Sequence, residues 1–434
     1  MLIVALTAVG TVADYGVRVL LARVVDPTAY GDFAIAYAVM MLGGIAAILG
    51  ADRTIMRFLP RYIAAADHAR VSGFVAMFAS AAILVAVLLG LLVVLTHLFL
   101  DFEGNVFFHT DRGHPMLYAI WIVPFYALSR FSGGLLNSAR RPVLMTLARY
   151  YLLPVVVTAA ILALVAAGVE VGPVAILLAY AGAFALAIVF NLAVMPAHVR
   201  YWHADRRVSP KIWLGLSLPV MGSEIVWKFA GYTAPFMLEW LGPEEADVGM
   251  FSASFSAGSL ILIPFVAVSA IALPRLGLIA AGPESRADRQ ALFCRTTRQL
   301  LALAILFAAP LILFSREILS MFGEEYKAAD TALIMTAVAL CASAAFGIAA
   351  SFLQFTGHVK LVLAVVAGAT LLDVALCAVL IPGYGLNGAA LSFMIRSLVL
   401  QAVLILLLWR LEGLVPFVRP AAPAPVRSDV PGLG

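Results

Sequence analysis

Charged side chains are scarce in this sequence. Asp, Glu, Lys and Arg supply 12% of its residues, against roughly 25% in a soluble domain. Apolar residues reach 64% and mean hydropathy is +1.04. Those values exclude a soluble globular chain and require an integral membrane protein. Cysteine is nearly absent: Cys294, Cys341 and Cys377 are odd in number and form no C-x-x-C, so no disulfide framework or dithiol motif is expected. There is no G-x-x-x-x-G-K-S/T loop to cradle ATP phosphates and no G-x-S-x-G elbow for a nucleophilic serine. The seven histidines, His68, His97, His109, His114, His198, His203 and His358, lack zinc-site spacing. No catalytic residue, metal or cofactor is expected. The external loops are short, whereas a membrane glycosyltransferase or polymerase needs a large one to carry its chemistry. The N-terminus has no basic n-region, and Asp14 and Arg18 interrupt what would be a signal-peptide core. Residues 1–25 therefore read as a retained first span.

What is present is a series of apolar runs near 20 residues long, which suits helices rather than the short alternating strands of a barrel. Twelve spans are expected, at 2–25, 31–51, 72–99, 115–137, 143–167, 173–197, 213–240, 248–272, 299–321, 331–355, 361–381 and 387–410. One set of loops holds Arg53, Arg57, Arg61 and Arg70, then Arg140 and Arg141, then Arg200, Arg206, Arg207 and Lys211. The same set continues with Arg275, Arg286, Arg289, Arg295 and Arg298, then Lys360 and the tail. The alternate loops are acidic. By the positive-inside rule the basic set is cytoplasmic, and so are both termini. That placement also accounts for the basic residues without a nucleic-acid partner.

The two halves echo each other. DPTAYGDF (26–33) matches GPEEADVGMF (242–251), and LPR recurs at 59–61 and 273–275. LLNSARRPV (135–143) parallels FLQFTGHVK (352–360), and GPVA (172–175) parallels NGAA (387–390). The expected fold is all-α and integral to the membrane: twelve transmembrane helices in two six-helix lobes, residues 1–199 and 213–411. An even number of spans per repeat puts the pseudo-twofold axis along the membrane normal. Residues 200–212 are the cytoplasmic linker, and 412–434 a disordered cytoplasmic tail.

Five motifs carry a resemblance. They are LARVVDPTAYG (21–31), RFLPRY (57–62), LGPEEADVGMF (241–251), FGEEYKAA (322–329) and IPGYGLNGAAL (381–391). In that order the chain resembles the Wzx-type polysaccharide flippases of the multidrug/oligosaccharidyl-lipid/polysaccharide exporter superfamily. The resemblance implies two lobes around a central cavity, residence in the inner (plasma) membrane, and export of a polyprenyl-pyrophosphate-linked oligosaccharide by alternating access. It also implies membrane lipids and glycan-assembly enzymes as partners. The rival readings are a multidrug/cation antiporter of the same superfamily and a membrane polysaccharide polymerase or ligase.

Six charges fall at membrane depth: Asp14 and Arg18 in the first span, Glu224 and Lys228 in the seventh, Asp373 and Arg396 in the last two. Asp14/Arg18 and Glu224/Lys228 have the acid-then-base spacing of an intrahelical i,i+4 pair. Intramembrane charge is costly and marks function or pairing. Arg18, Lys228 and Arg396 are candidates to meet a pyrophosphate in one cavity, with Asp14, Glu224 and Asp373 orienting them. The alternative for these charges is a purely structural role, stapling helices inside a lobe. Arg130 and Arg149 read as cytoplasmic-interface bases snorkelling to phosphates. Pro219 and Pro235 in the seventh span are hinge candidates.

Overall fold

A computed structural model describes residues 2–99, 115–196, 205–281 and 286–418. The acidic external loop around Asp101, part of the linker (200–204) and the tail from 419 lie outside the described residues. Sixteen α-helices, with short π and 3₁₀ turns, make up the regular structure, and no strand occurs among the described residues. The first half contains α1 (Leu2–Val24), α2 (Pro27–Ala47), α3 (Ala51–Ala64), α4 (His68–Phe99), α5 (Pro115–Ser138), α6 (Pro142–Leu147), α7 (Leu153–Ala166) and α8 (Pro173–Ala193). The second half contains α9 (Pro210–Leu241), α10 (Ala246–Gly258), α11 (Ile263–Ala281), α12 (Arg286–Leu313), α13 (Ser315–Ser320), α14 (Asp330–Phe346), α15 (Ile348–Phe355) and α16 (Val359–Glu412).

Ten helical segments among the described residues are long and apolar enough to cross a membrane. The chain is therefore a multi-pass membrane protein. The difference from twelve has two sources. The seventh expected span, α9, falls outside the ten because its charged and polar residues dilute its hydropathy. The last two expected spans fall in the 54-residue α16, which runs through the stretch read as a loop. That helix is broken within itself: Gly385 has φ 50° and ψ −128°. The left-handed φ favours glycine there, and the Asp247 carboxylate accepts the freed Leu386 amide at 3.1 Å.

Local chemistry explains the joints. Asp26 caps α2 by accepting the Ala29 amide at 2.7 Å, and Pro27 opens the helix at its first position. The basic loop after the second span is helical: α3 buries Ala51, Thr54, Ile55 and Leu59 and turns Arg53, Arg57 and Arg61 outward. Residues 413–418, inside the stretch read as a disordered tail, are tied to α12. Gln290 Nε2 donates to the Val415 and Val418 carbonyls, both at 2.7 Å, and Leu414 is buried.

Three of the contacts between the halves fix how they sit together. Where α2 crosses α10, Gly31 and Gly249 allow backbone contact. The start of α9 sits on the first half: Trp213 Nε1 donates to the Tyr62 hydroxyl at 2.9 Å, and Gly50 backs onto the Ser217 carbonyl. At the far end of α1, Arg23 donates to the Met321 carbonyl at 2.5 Å and to Ser320 at 3.3 Å. From there α9 runs along α16.

Candidate functional site

A cavity of about 580 Å³ lies wholly within the first half. Its wall carries Asp14, Arg18, Asp52, Arg53, Arg130 and Arg149, together with Tyr37, Tyr126, Tyr150 and Tyr180. Four arginines against two aspartates give it surplus positive charge. A π turn, Ala148–Leu152, shapes one side. It stands between α6 and α7, just before Pro154. Proline lacks the amide that would continue the α ladder, and single π turns recur at functional sites. The turn carries Arg149, whose guanidinium lies 5.7 Å from the Tyr150 ring centre. Helix α1 presses on it closely: Gly10 faces Tyr150 with no room for a Cβ, and Tyr151 donates its hydroxyl to the Leu6 carbonyl at 2.8 Å.

The Asp14–Arg18 pair forms along α1 at 3.0 Å, with Arg18 also 5.9 Å from the Tyr37 ring centre. The intrahelical Glu224–Lys228 pair is not what the structure shows. Glu224 instead pairs with Arg130 of α5 at 2.7 Å, and Arg53 approaches it at 3.7 Å. Arg130 also pairs with Asp52 of α3 through the same nitrogen and donates to the Tyr126 hydroxyl at 3.4 Å. Its side chain is 9% exposed, so the reading of Arg130 as a snorkelling interface base is corrected: it is a buried, doubly paired cation joining α3, α5 and α9. Arg149, by contrast, is exposed and also lines the cavity. Two carboxylates hold one guanidinium here because an unpaired buried charge is strongly disfavoured.

Lys228 is left without an ion pair or hydrogen bond among the described residues. It is exposed, and within electrostatic reach of Glu224 as well as of Arg149, Arg130 and Arg53. Arg396 is elsewhere. It is buried beside fully buried Asp373, at 3.4 Å, and lies over Phe393 at 4.7 Å. The expectation of one cavity holding Arg18, Lys228 and Arg396 is therefore corrected. Arg396 lines a second cavity, of about 380 Å³, formed entirely by the second half. A pocket of about 150 Å³ between them shares Asp14, Arg18 and Tyr37 with the first cavity and Gly231 and Phe255 with the second. Both hinge candidates lie inside α9, which stays helical through Pro219, exposed, and Pro235, buried. Each proline has glycine four residues earlier, Gly215 and Gly231.

Sequence reasoning missed Asp52 and Arg53. The signal available was RFLPRY with an acid upstream on an amphipathic helix, which reads equally as a basic loop.

Residues 1–278 match the family described as polysaccharide biosynthesis protein. No curated protein matches the sequence. Among solved structures, the lipid II flippase MurJ in an inward closed conformation matches with a TM-score of 0.68 at 15% identity, over 93% of this chain and 87% of that one. An inward-facing multidrug resistance MATE family transporter of the MOP superfamily matches with a TM-score of 0.66 at 16% identity, over 95% and 94%. A MOP superfamily transporter from Pyrococcus furiosus, described as having a binding pocket of reversed polarity, matches with a TM-score of 0.62 at 15% identity, over 95% and 94%. The chain has the fold these transporters share.

Proposed function

The chain belongs to the polysaccharide biosynthesis protein family, and from that premise we propose that it is a flippase carrying a polyprenyl-pyrophosphate-linked oligosaccharide across the plasma membrane. The observation that carries the reading is the first-half cavity, where Arg18, Arg53, Arg130 and Arg149 outnumber Asp14 and Asp52 inside a membrane-spanning bundle. A pyrophosphate needs fixed positive charge, and arginine offers it as a planar fork. Arg130 is held by two carboxylates and Arg18 by one, so they hold the cavity's shape. Arg149 and Lys228 have no carboxylate partner among the described residues and are the cations that meet the substrate. Their positive charge is incomplete without an anion, which favours an anionic ligand over a cationic drug. The transporter described as having a pocket of reversed polarity offers a parallel within the same fold.

In this reading α9 and the two segments of α16 on either side of Gly385 are spans, which brings the total to twelve in two six-helix lobes. The lobes are residues 1–199 and 213–411, with 200–212 as linker and both termini cytoplasmic. They rock about a pseudo-twofold axis that passes near Gly31 and Gly249, the equivalent residues of DPTAYGDF and GPEEADVGMF.

Deletion of the gene, followed by analysis of lipid-linked intermediates, tests the function. Glycan linked to polyprenyl pyrophosphate should accumulate on the cytoplasmic face. Normal surface glycan with raised drug sensitivity would point instead to an antiporter.

A further inference from the structure

The second-half cavity has a different chemistry from the first. Arg396, its one arginine among the described residues, is paired with Asp373. The wall otherwise alternates aromatic surface, Trp227 and Phe255 among it, with neutral hydrogen-bonding side chains. Two of these wall residues hold a polar atom that is buried and has no hydrogen-bond partner, Ser397 Oγ and Gln401 Oε1, whereas Arg396 Nε faces Asp373 Oδ2 at 3.4 Å. Ser397 is 1% and Gln401 6% exposed. They are four residues apart on one face of α16. A buried polar atom without a partner costs free energy, and proteins leave few of them. Two such residues one turn apart on the wall of one cavity mark a place for hydrogen bonds from something that enters it.

The geometry points to a saccharide subsite. Sugar hydroxyls both donate and accept, which suits a serine hydroxyl and an amide oxygen one turn apart. The apolar face of a sugar ring suits the aromatic side chains of the same wall. The volume, about 380 Å³, falls in the range of roughly 300–1,000 Å³ of ligand pockets. The pocket between the two cavities leads from Arg18 to Phe255. The inference rests on the flippase reading and deepens it. One substrate is divided along its length, with the pyrophosphate held in the arginine cavity of the first half and its sugars in the neutral cavity of the second. Ser397 and Gln401 are then the residues that recognise glycan.

The test compares two probes on the full chain in lipid nanodiscs: the lipid-linked saccharide extracted from deletion cells, and undecaprenyl pyrophosphate, which has no sugar. The wild type should bind the saccharide-bearing lipid about tenfold or more tightly than the bare one, the gain expected from a few net hydrogen bonds. The double variant Ser397→Ala/Gln401→Leu should lose that preference and keep its affinity for undecaprenyl pyrophosphate. It should also melt no lower than the wild type, since it removes unsatisfied polar atoms. Equal affinities in the wild type, a preference retained by the variant, or a lower melting temperature would each overturn the subsite. Deletion cells that accumulate no lipid-linked saccharide would remove the transport reading beneath it, a separate and recognisable outcome.

Discussion

Gly31 and Gly249 touch backbone to backbone where α2 crosses α10. A Cβ on Gly31 would stand 2.9 Å from the Gly249 amide nitrogen, and one on Gly249 would run into the Pro27 carbonyl. The contact needs both residues bare. Gly249→Ala should force the helices apart and cost about 1–3 kcal/mol, as overpacking does. Gly182→Ala in α8, where nothing lies within 4 Å, should instead gain roughly 0.5–1 kcal/mol from helix propensity. Thermal melting of the two purified variants checks the contrast.

Arg130 answers two carboxylates, Asp52 and Glu224, that approach from different helices. Arg130→Met leaves both anions buried and should cost about 3–5 kcal/mol. Glu224→Gln leaves the Asp52 pair intact and should cost about 1–3 kcal/mol, the penalty for one unsatisfied partner. Adding Asp52→Asn and Glu224→Gln to Arg130→Met should recover part of the loss. A double-mutant cycle read by melting temperature measures the coupling, and additive effects would show that the three do not act as a unit.

The legible part of this arrangement is its local part. Asp14 and Arg18 are four residues apart on one helix, and they pair. The same rule applied to Glu224 and Lys228 gave the wrong partner, because it cannot weigh Arg130, which is 94 residues from Glu224 in sequence. Hydropathy locates a residue along a helix axis but not around it. Arg130 and Arg149 could therefore be placed by depth while the face they occupy stayed hidden. Charge alone made α3 read as a loop, although Ala51, Thr54, Ile55 and Leu59 already marked a buried helical face. The second cavity left no mark in composition, since Ser397 and Gln401 are ordinary residues in a polar-tolerant helix.

Arg149 and Lys228 separate binding from stability. Neither has an ion-pair partner among the described residues, so Arg149→Ala and Lys228→Ala should leave the protein abundant. Transport should nevertheless fall by at least about tenfold, the scale of one lost charge-assisted contact. Lys228→Arg should keep most activity. The measurement is recovery of surface glycan in deletion cells, set against protein level on a blot; proportional losses of both would assign these residues to folding.

Pro235 is buried in α9, and its missing amide leaves the Gly231 carbonyl without the usual backbone donor. Gly231 borders both the middle pocket and the second cavity. If α9 bends there during transport, Pro235→Ala should stiffen it and slow the rate more than it lowers abundance. A transport rate equal to the wild type's would leave the proline as a packing residue.

The shared arginine also orders events during synthesis. Asp52 and Arg130 both emerge before α9 exists, so the early bundle can shelter a neutral pair. Glu224 arrives later and enters the bilayer with Lys228 as its only near companion on the same helix. When α9 docks, Arg130 takes Glu224, and Lys228 is left with no ion-pair partner among the described residues. A ribosome-stalled chain ending before α9 should already protect Asp52→Cys from a thiol reagent, whereas Lys228→Cys should gain reactivity as the second half completes. The partnership of Glu224 thus forms last, tying the second half to a pair the first half has already made.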